Sequence, residues 1–268
     1  MSLAPRVHTA RRLPLLLACA TLLLSGCGDK KVSKPQPTGS LTLSFEYRVD
    51  AAAVRFDATD YPYVNAAGNH YRVSRLKHYV SDVKLRRLDG SDYATTDVFL
   101  LDAFEPASLS FTLQGIPAGS YSGIEFLIGV DDDRNVEHGL SDTVENFNMQ
   151  WPRELGGGYH HVQMEGHYLG EGVDSTWTVH LGKAKHNPSD TFYHSHVAAI
   201  AVPASGVSIA ENDHWTVRLA MDVNQWFTTP ENYDFSEFGS YIMENHEAQE
   251  ILSANARDAF TVVSRSRE

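Results

Sequence analysis

The chain has 268 residues, 42% of them apolar and 21% charged, which is enough to bury a sizeable core and excludes a disordered chain. Nineteen Gly, 11 Pro, 12 Tyr and 12 Phe describe a strand-and-turn protein rather than a coiled coil or a helical bundle. Acidic side chains outnumber basic ones by 34 to 22, a formal net charge of −12 with no basic cluster, so a phosphate backbone is repelled and nucleic acid is not an expected partner.

Residues 1–26 read as a lipoprotein signal peptide. Arg6, Arg11 and Arg12 form a positive start, and Leu13 to Leu24 is an apolar run too short to span a membrane as a mature helix. The run ends in Leu24-Ser25-Gly26-Cys27, which resembles the bacterial lipobox and makes Cys27 the expected lipidation site. More than one acyl chain on Cys27 would give a stable membrane anchor. The residue after it, Gly28 rather than Asp, is similar to outer-membrane sorting signals, so the expected location is periplasmic, on the outer membrane. Cleavage leaves 19 basic against 34 acidic side chains, a net charge nearer −15. Cys19 departs with the signal and Cys27 is consumed by lipid, so neither a disulfide nor a thiolate metal ligand remains.

Residues 27–40 are polar, Pro-containing and non-periodic, a flexible tether. From Leu41 to Tyr47 apolar and polar residues alternate, as in a half-buried strand. Similar runs follow at Tyr71 to Leu88, Val98 to Asp102, Leu109 to Leu113, Tyr121 to Val130, Tyr159 to Tyr168, Thr176 to Leu181, His196 to Val202 and Trp215 to Val223. Turn signals such as Asp89-Gly90, Pro117-Ala118-Gly119 and Gly170-Glu171-Gly172 separate them. Short strands without long helices between them predict an all-β, antiparallel β-sandwich. Tyr241, Ile242, Ala248, Ile251, Leu252 and Ala256 recur at helical spacing, so one C-terminal amphipathic helix packs on it. Residues 41–268 form a single domain in this reading.

Histidine is the unusual residue. Seven of the 13 (His160, His161, His167, His180, His186, His194, His196) fall between 160 and 196, where even scatter over the mature chain would put about two. Without cysteine, imidazole is the form a transition-metal site would take here, and Met149 and Met164 offer soft thioethers. Strand parity sets His160 on one face with Val162 and Met164, and His161 on the other with Gln163, Glu165 and His167. Two further patterns are weaker. His246-Glu247-Ala248-Gln249-Glu250 has the start of a zincin helix but Glu250 in place of its second histidine. Asp131-Asp132-Asp133-Arg134-Asn135 begins like a calcium loop, but Val136 replaces the required glycine, and an acidic turn accounts for it.

The order of several short motifs resembles the MbnP family. They are Leu76 to Leu85 (LKHYVSDVKL), Ile128-Gly129-Val130-Asp131 with Asn135-Val136, Met149-Gln150-Trp151, Gly158-Tyr159, Glu165-Gly166 and His180-Leu181-Gly182. The resemblance implies a periplasmic copper-binding protein, without catalytic turnover, paired with a dihaem enzyme similar to cytochrome c peroxidase. That partner oxidises a tryptophan to kynurenine, and the kynurenine binds copper with histidines. An indole N–H is only a donor, whereas an opened pyrrole ring offers an aromatic amine and a carbonyl. Carried over by position, Trp151 is the residue to be oxidised and His180 the first ligand, with His160 or His161 next. The chain departs from many relatives in having Arg153 where a second Trp follows, and Tyr47 where a His stands near the first strand.

Two other readings compete. One is a lipoprotein binding module for a glycan, peptide or protein partner, held through Tyr and Trp without a metal. The other is a metallohydrolase built on His246 and Glu247.

Overall fold

The computed structural model describes residues 35–268, so the signal peptide expected over 1–26, Cys27 with its lipid, and most of the 27–40 tether lie outside the described residues. In chain order the strands are β1 (Thr38–Val49), β2 (Ala52–Ala53), β3 (Tyr63–Val64), β4 (His70–Arg87), β5 (Asp92–Ala94), β6 (Val98–Asp102), β7 (Ser110–Pro117) and β8 (Gly119–Ile128). After the short helix α1 (Val144–Phe147) come β9 (Val162–Gly170), β10 (Val173–Leu181), β11 (Lys183–Ala184), β12 (His194–Ser195), β13 (Ala198–Ile209) and β14 (His214–Asp222). The chain closes with α2 (Phe235–Phe238), α3 (His246–Asn255) and β15 (Phe260–Arg267).

One sheet runs β15-β14-β1, with β7 and β2 on the other edge of β1. In β1 the odd-numbered residues Leu41, Leu43, Phe45, Tyr47 and Val49 are buried, as period-2 alternation requires of a strand with one face on a core. The folded strand begins at Thr38, three residues before the expected start. β1 and β14 run parallel, a departure from the antiparallel expectation that a long connection permits.

The second sheet runs β10-β9-β4-β8-β13, and its spine is the 18-residue β4. One edge of β4 pairs with β9 over Tyr71 to His78 and then with β8 over Val80 to Arg87. Within the β8 pairing a register shift between Ser81 and Lys84, with Asp82 at φ 52°, marks a bulge. The buried faces of both sheets join one core in which Trp177 stacks on Phe235 at 4.9 Å and meets Tyr71 edge-on.

The expected helix forms as α3, capped by the Asn245 side chain accepting from the Ala248 N–H, and it buries Ala248, Ile251 and Leu252. Tyr241 and Ile242 precede it outside the helix. Among the described residues no helix is long and apolar enough to cross a membrane.

Candidate metal centre

The site sits at the seam where β4 exchanges β9 for β8. At that point the Tyr79 N–H donates to the His161 carbonyl (3.1 Å) and the Tyr79 carbonyl accepts from the Gly129 N–H (3.0 Å). The segment from Gly129 to His161 therefore leaves and rejoins the sheet at one residue. Asn135 organises its interior: fully buried, it accepts the Tyr159 N–H on Oδ1 (2.6 Å), and its backbone carbonyl accepts from Lys183 Nζ (2.6 Å). A Cβ on Gly158, at φ 91°, would stand 2.4 Å from Asn135 Oδ1, so this close approach needs glycine. The Gly158 carbonyl accepts the Trp151 N–H (2.9 Å), and a bridge between Gln150 and Tyr159 sets Trp151 opposite the residues leading into His160.

Trp151, His160 and His180 meet there. The Trp151 ring is buried, 4.7 Å centre to centre from the His160 imidazole, and the His160 and His180 imidazoles lie 5.0 Å apart. Strand parity did not foresee this: His160 and His161 precede β9, so the alternation that puts Val162 and Met164 in the core does not govern them. Carboxylate and carbonyl partners orient both rings. His160 Nδ1 donates to the Met149 carbonyl (3.1 Å), leaving Nε2 unprotonated, buried and without a hydrogen-bond partner. His180 Nε2 donates to Glu165 Oε1 (2.9 Å), so Nδ1 is the nitrogen left for a ligand.

Burial keeps the His160 ring neutral. Burial, reinforced by His180, pulls His160 down to about 4. The hydrogen bond from His180 is the main reason the Glu165 carboxyl lies below its usual range, with burial opposing it. Arg75 also reaches Glu165 at 3.4 Å.

Two glycines permit close approaches, Gly182 at the Trp151 ring and Gly166 between neighbouring strands. A Cβ on Gly182 would lie 2.5 Å from Trp151 Cε3, so His180-Leu181-Gly182 supplies both an imidazole and a shelf for the indole. A Cβ on Gly166 would lie 2.0 Å from the Arg72 carbonyl, so Glu165-Gly166 joins a carboxylate partner to a close strand contact. The buried Gln249 of α3 accepts the Gly182 N–H (2.9 Å) and donates to the Met243 carbonyl (2.9 Å). Sequence reasoning missed Gln249 and the role of Glu165. The available signal was a glutamine among the apolar positions Ala248, Ile251 and Leu252.

His161 is not part of this group. Its fully buried ring packs on Gly129, accepts the Val130 N–H on Nδ1 (3.2 Å) and donates from Nε2 to Ser195 Oγ (3.0 Å), so both nitrogens are engaged. Burial pushes it down to about 3. Met149 and Met164 are fully buried in apolar clusters. Asp131 closes an acidic turn, accepting the Arg134 and Asn135 N–H groups, and Arg134 bridges to Asp82 (2.6 Å). Arg153 is exposed and pairs with Glu137 beside a hollow of about 260 Å³ that Trp151 also lines. Among the described residues no three His, Cys, Asp or Glu side chains already converge on a point suited to a metal ion.

The chain matches the MbnP family model over residues 38–244. No curated protein matches it. Among solved structures, MbnP from Methylosinus trichosporium is similar at 19% identity and a TM-score of 0.48, over 71% of this chain and 78% of that one. The family match takes in most of the strands and the whole of the Trp151, His160 and His180 constellation, and on that match the chain belongs to the MbnP family.

Proposed function

We propose that this protein is a lipid-anchored periplasmic copper-binding protein, without turnover of its own, whose site is built from His160, His180 and a kynurenine made from Trp151. The observation that carries the reading is a pair of adjacent imidazoles, each oriented by a hydrogen bond from one ring nitrogen. One of them, His160, holds a buried, unpartnered Nε2 beside the Trp151 ring. An orphaned buried ring nitrogen is costly unless something binds it, and imidazole suits copper.

The residues present fit the metal. His160 and His180 would supply nitrogen ligands, with Glu165 orienting His180 and the Met149 carbonyl orienting His160. Trp151 Nε1 now donates to the Leu155 carbonyl (3.0 Å) and, as an indole nitrogen, has no lone pair to give. Opening its pyrrole ring adds two oxygen atoms and releases one carbon as formate after hydrolysis, with peroxide as oxidant and a dihaem enzyme similar to cytochrome c peroxidase as catalyst. The freed amine can keep the hydrogen bond to Leu155 and still present a lone pair.

Co-production with such a dihaem partner, followed by peptide mapping and metal analysis, tests the reading. Trp151 should gain the mass of two oxygens less carbon monoxide, and the purified protein should retain copper that protein made alone lacks. An unmodified Trp151 together with no retained copper would overturn it.

A further inference from the structure

A second group of histidines lies outside the Trp151 constellation. Ala184 of β11 pairs with His194 of β12, and in an antiparallel pair partners and their i±2 neighbours share a face. The register therefore sets Ala184 and His194 on one face of this hairpin, with His186 and His196 just beyond the ends of the two strands. The first residue of α3, His246, lies over that face: its ring is 4.7 Å from His186, 5.7 Å from His194 and 4.9 Å from His196. His246 also lies beyond the span that matches the family, so nothing in that match accounts for it.

Several features of this cluster suit a ligand. His196 is buried, its backbone N–H is tied to the Gly182 carbonyl (2.9 Å), and its Nδ1 has no hydrogen-bond partner. His196 Nε2 and His246 Nδ1 share a hydrogen bond of 3.0 Å, and a metal ion that displaced its proton would find the two nitrogens close to the separation of about 3.3 Å they take on tetrahedral zinc. His246 Nε2 faces Glu250 at 3.5 Å, an outer carboxylate of the kind that orients metal-bound imidazoles. His186, His246 and Glu250 line a cleft of about 840 Å³ that Glu244 and Glu247 also border, so an ion has both access and a favourable potential. The donors do not yet point at one centre. His186 is exposed and His194 half-buried, so neither ring is locked in place by burial.

We propose that His186, His194, His196 and His246 form a second metal site for a divalent first-row ion, zinc(II) or copper(II), independent of Trp151. Four imidazoles without a thiolate select ions of this borderline class over magnesium or calcium.

Titration calorimetry with zinc chloride on protein carrying Trp151→Phe tests the site, because that variant removes the proposed kynurenine ligand. One zinc should bind saturably and raise the unfolding temperature, while magnesium should do neither. His246→Gln, and separately the double variant His186→Ala/His194→Ala, should each weaken zinc by about tenfold or more. His186, His194 and His246 are exposed or half-buried, so the fold of the Trp151→Phe parent is retained and the loss can be read against that parent's far-ultraviolet spectrum. His160→Phe should leave zinc affinity unchanged. Absence of saturable zinc binding, affinity unaltered in His246→Gln, or loss caused by His160→Phe instead would each overturn the proposal.

Discussion

Gln249 on α3 accepts the N–H of Gly182 at 2.9 Å, and Gly182 is the backbone against which the Trp151 ring lies. The late helix thus braces the wall of the tryptophan pocket from a position 67 residues further along the chain. Gly182→Ala should displace the indole, because the new methyl would sit 2.5 Å from Cε3. Overpacking of this kind costs about 1–3 kcal/mol. Thermal unfolding and tryptophan fluorescence should report the loss, and the variant should no longer be modified at Trp151. A variant with the parent's melting point and modification would show that the shelf is not needed.

Glu165→Gln should leave the fold intact and weaken copper retention by about 10- to 100-fold, since the amide orients His180 less firmly than the carboxylate does. Competition against a copper chelator measures this directly. Equal retention by both proteins would remove Glu165 from the site.

Acid should destabilise the domain through its buried imidazoles. Burial pulls His78, His160 and His196 down to about 4 and His161 to about 3, while in the unfolded chain each takes its proton near pH 6.5. As pH falls from about 6.5 towards 4 the unfolded state binds protons that the native state does not, so stability is full above this window and declines through it. The unfolding temperature should therefore be lower at pH 5 than at pH 7.5. Replacing the buried pair in which Tyr47 Oη and His78 Nε2 lie 3.1 Å apart, with Tyr47→Phe and His78→Leu together, should make this decline shallower by about one proton's worth, or 1.4 kcal/mol per pH unit. An unchanged slope would show that His78 is protonated in the native state.

Asn135→Ala removes the acceptor of the Tyr159 N–H in a fully buried place. A loss of about 1–3 kcal/mol is expected for a buried donor left unpaired, measurable by urea unfolding. Because Tyr159 immediately precedes His160, modification at Trp151 should fall with it.

Much of the framework was legible because half-buried strands write themselves as alternation: the runs at Tyr71, Tyr121, Thr176 and Trp215 fall in observed strands to within one or two residues at their ends. β15 was not anticipated, since Phe260 is its single buried residue and the rest of its face is exposed or half-buried. Trp151, His160 and His180 could be named from short motifs, yet their meeting depends on the register that sets His180 opposite Gln163, two strand positions from Glu165 and so on the same face. His161 looked equivalent to His160 in sequence. What separates them is which backbone groups each ring meets at the seam beside Tyr79, and no local pattern encodes that.

The parallel pairing of β1 with β14 bears on how the domain comes together over time. Ser40 pairs with His214, 174 positions later, so the first strand must wait for one of the last before its second edge is filled. Closing so long a loop is slow, and topologies dominated by distant pairings fold late. A chain emerging amino end first cannot complete this sheet until Asp222 has followed, which favours assembly once nearly the whole chain has been made. A fragment ending short of His214 would hold out an unfilled row of amides and carbonyls flanked by Leu41, Leu43 and Phe45, a template for pairing with its own kind.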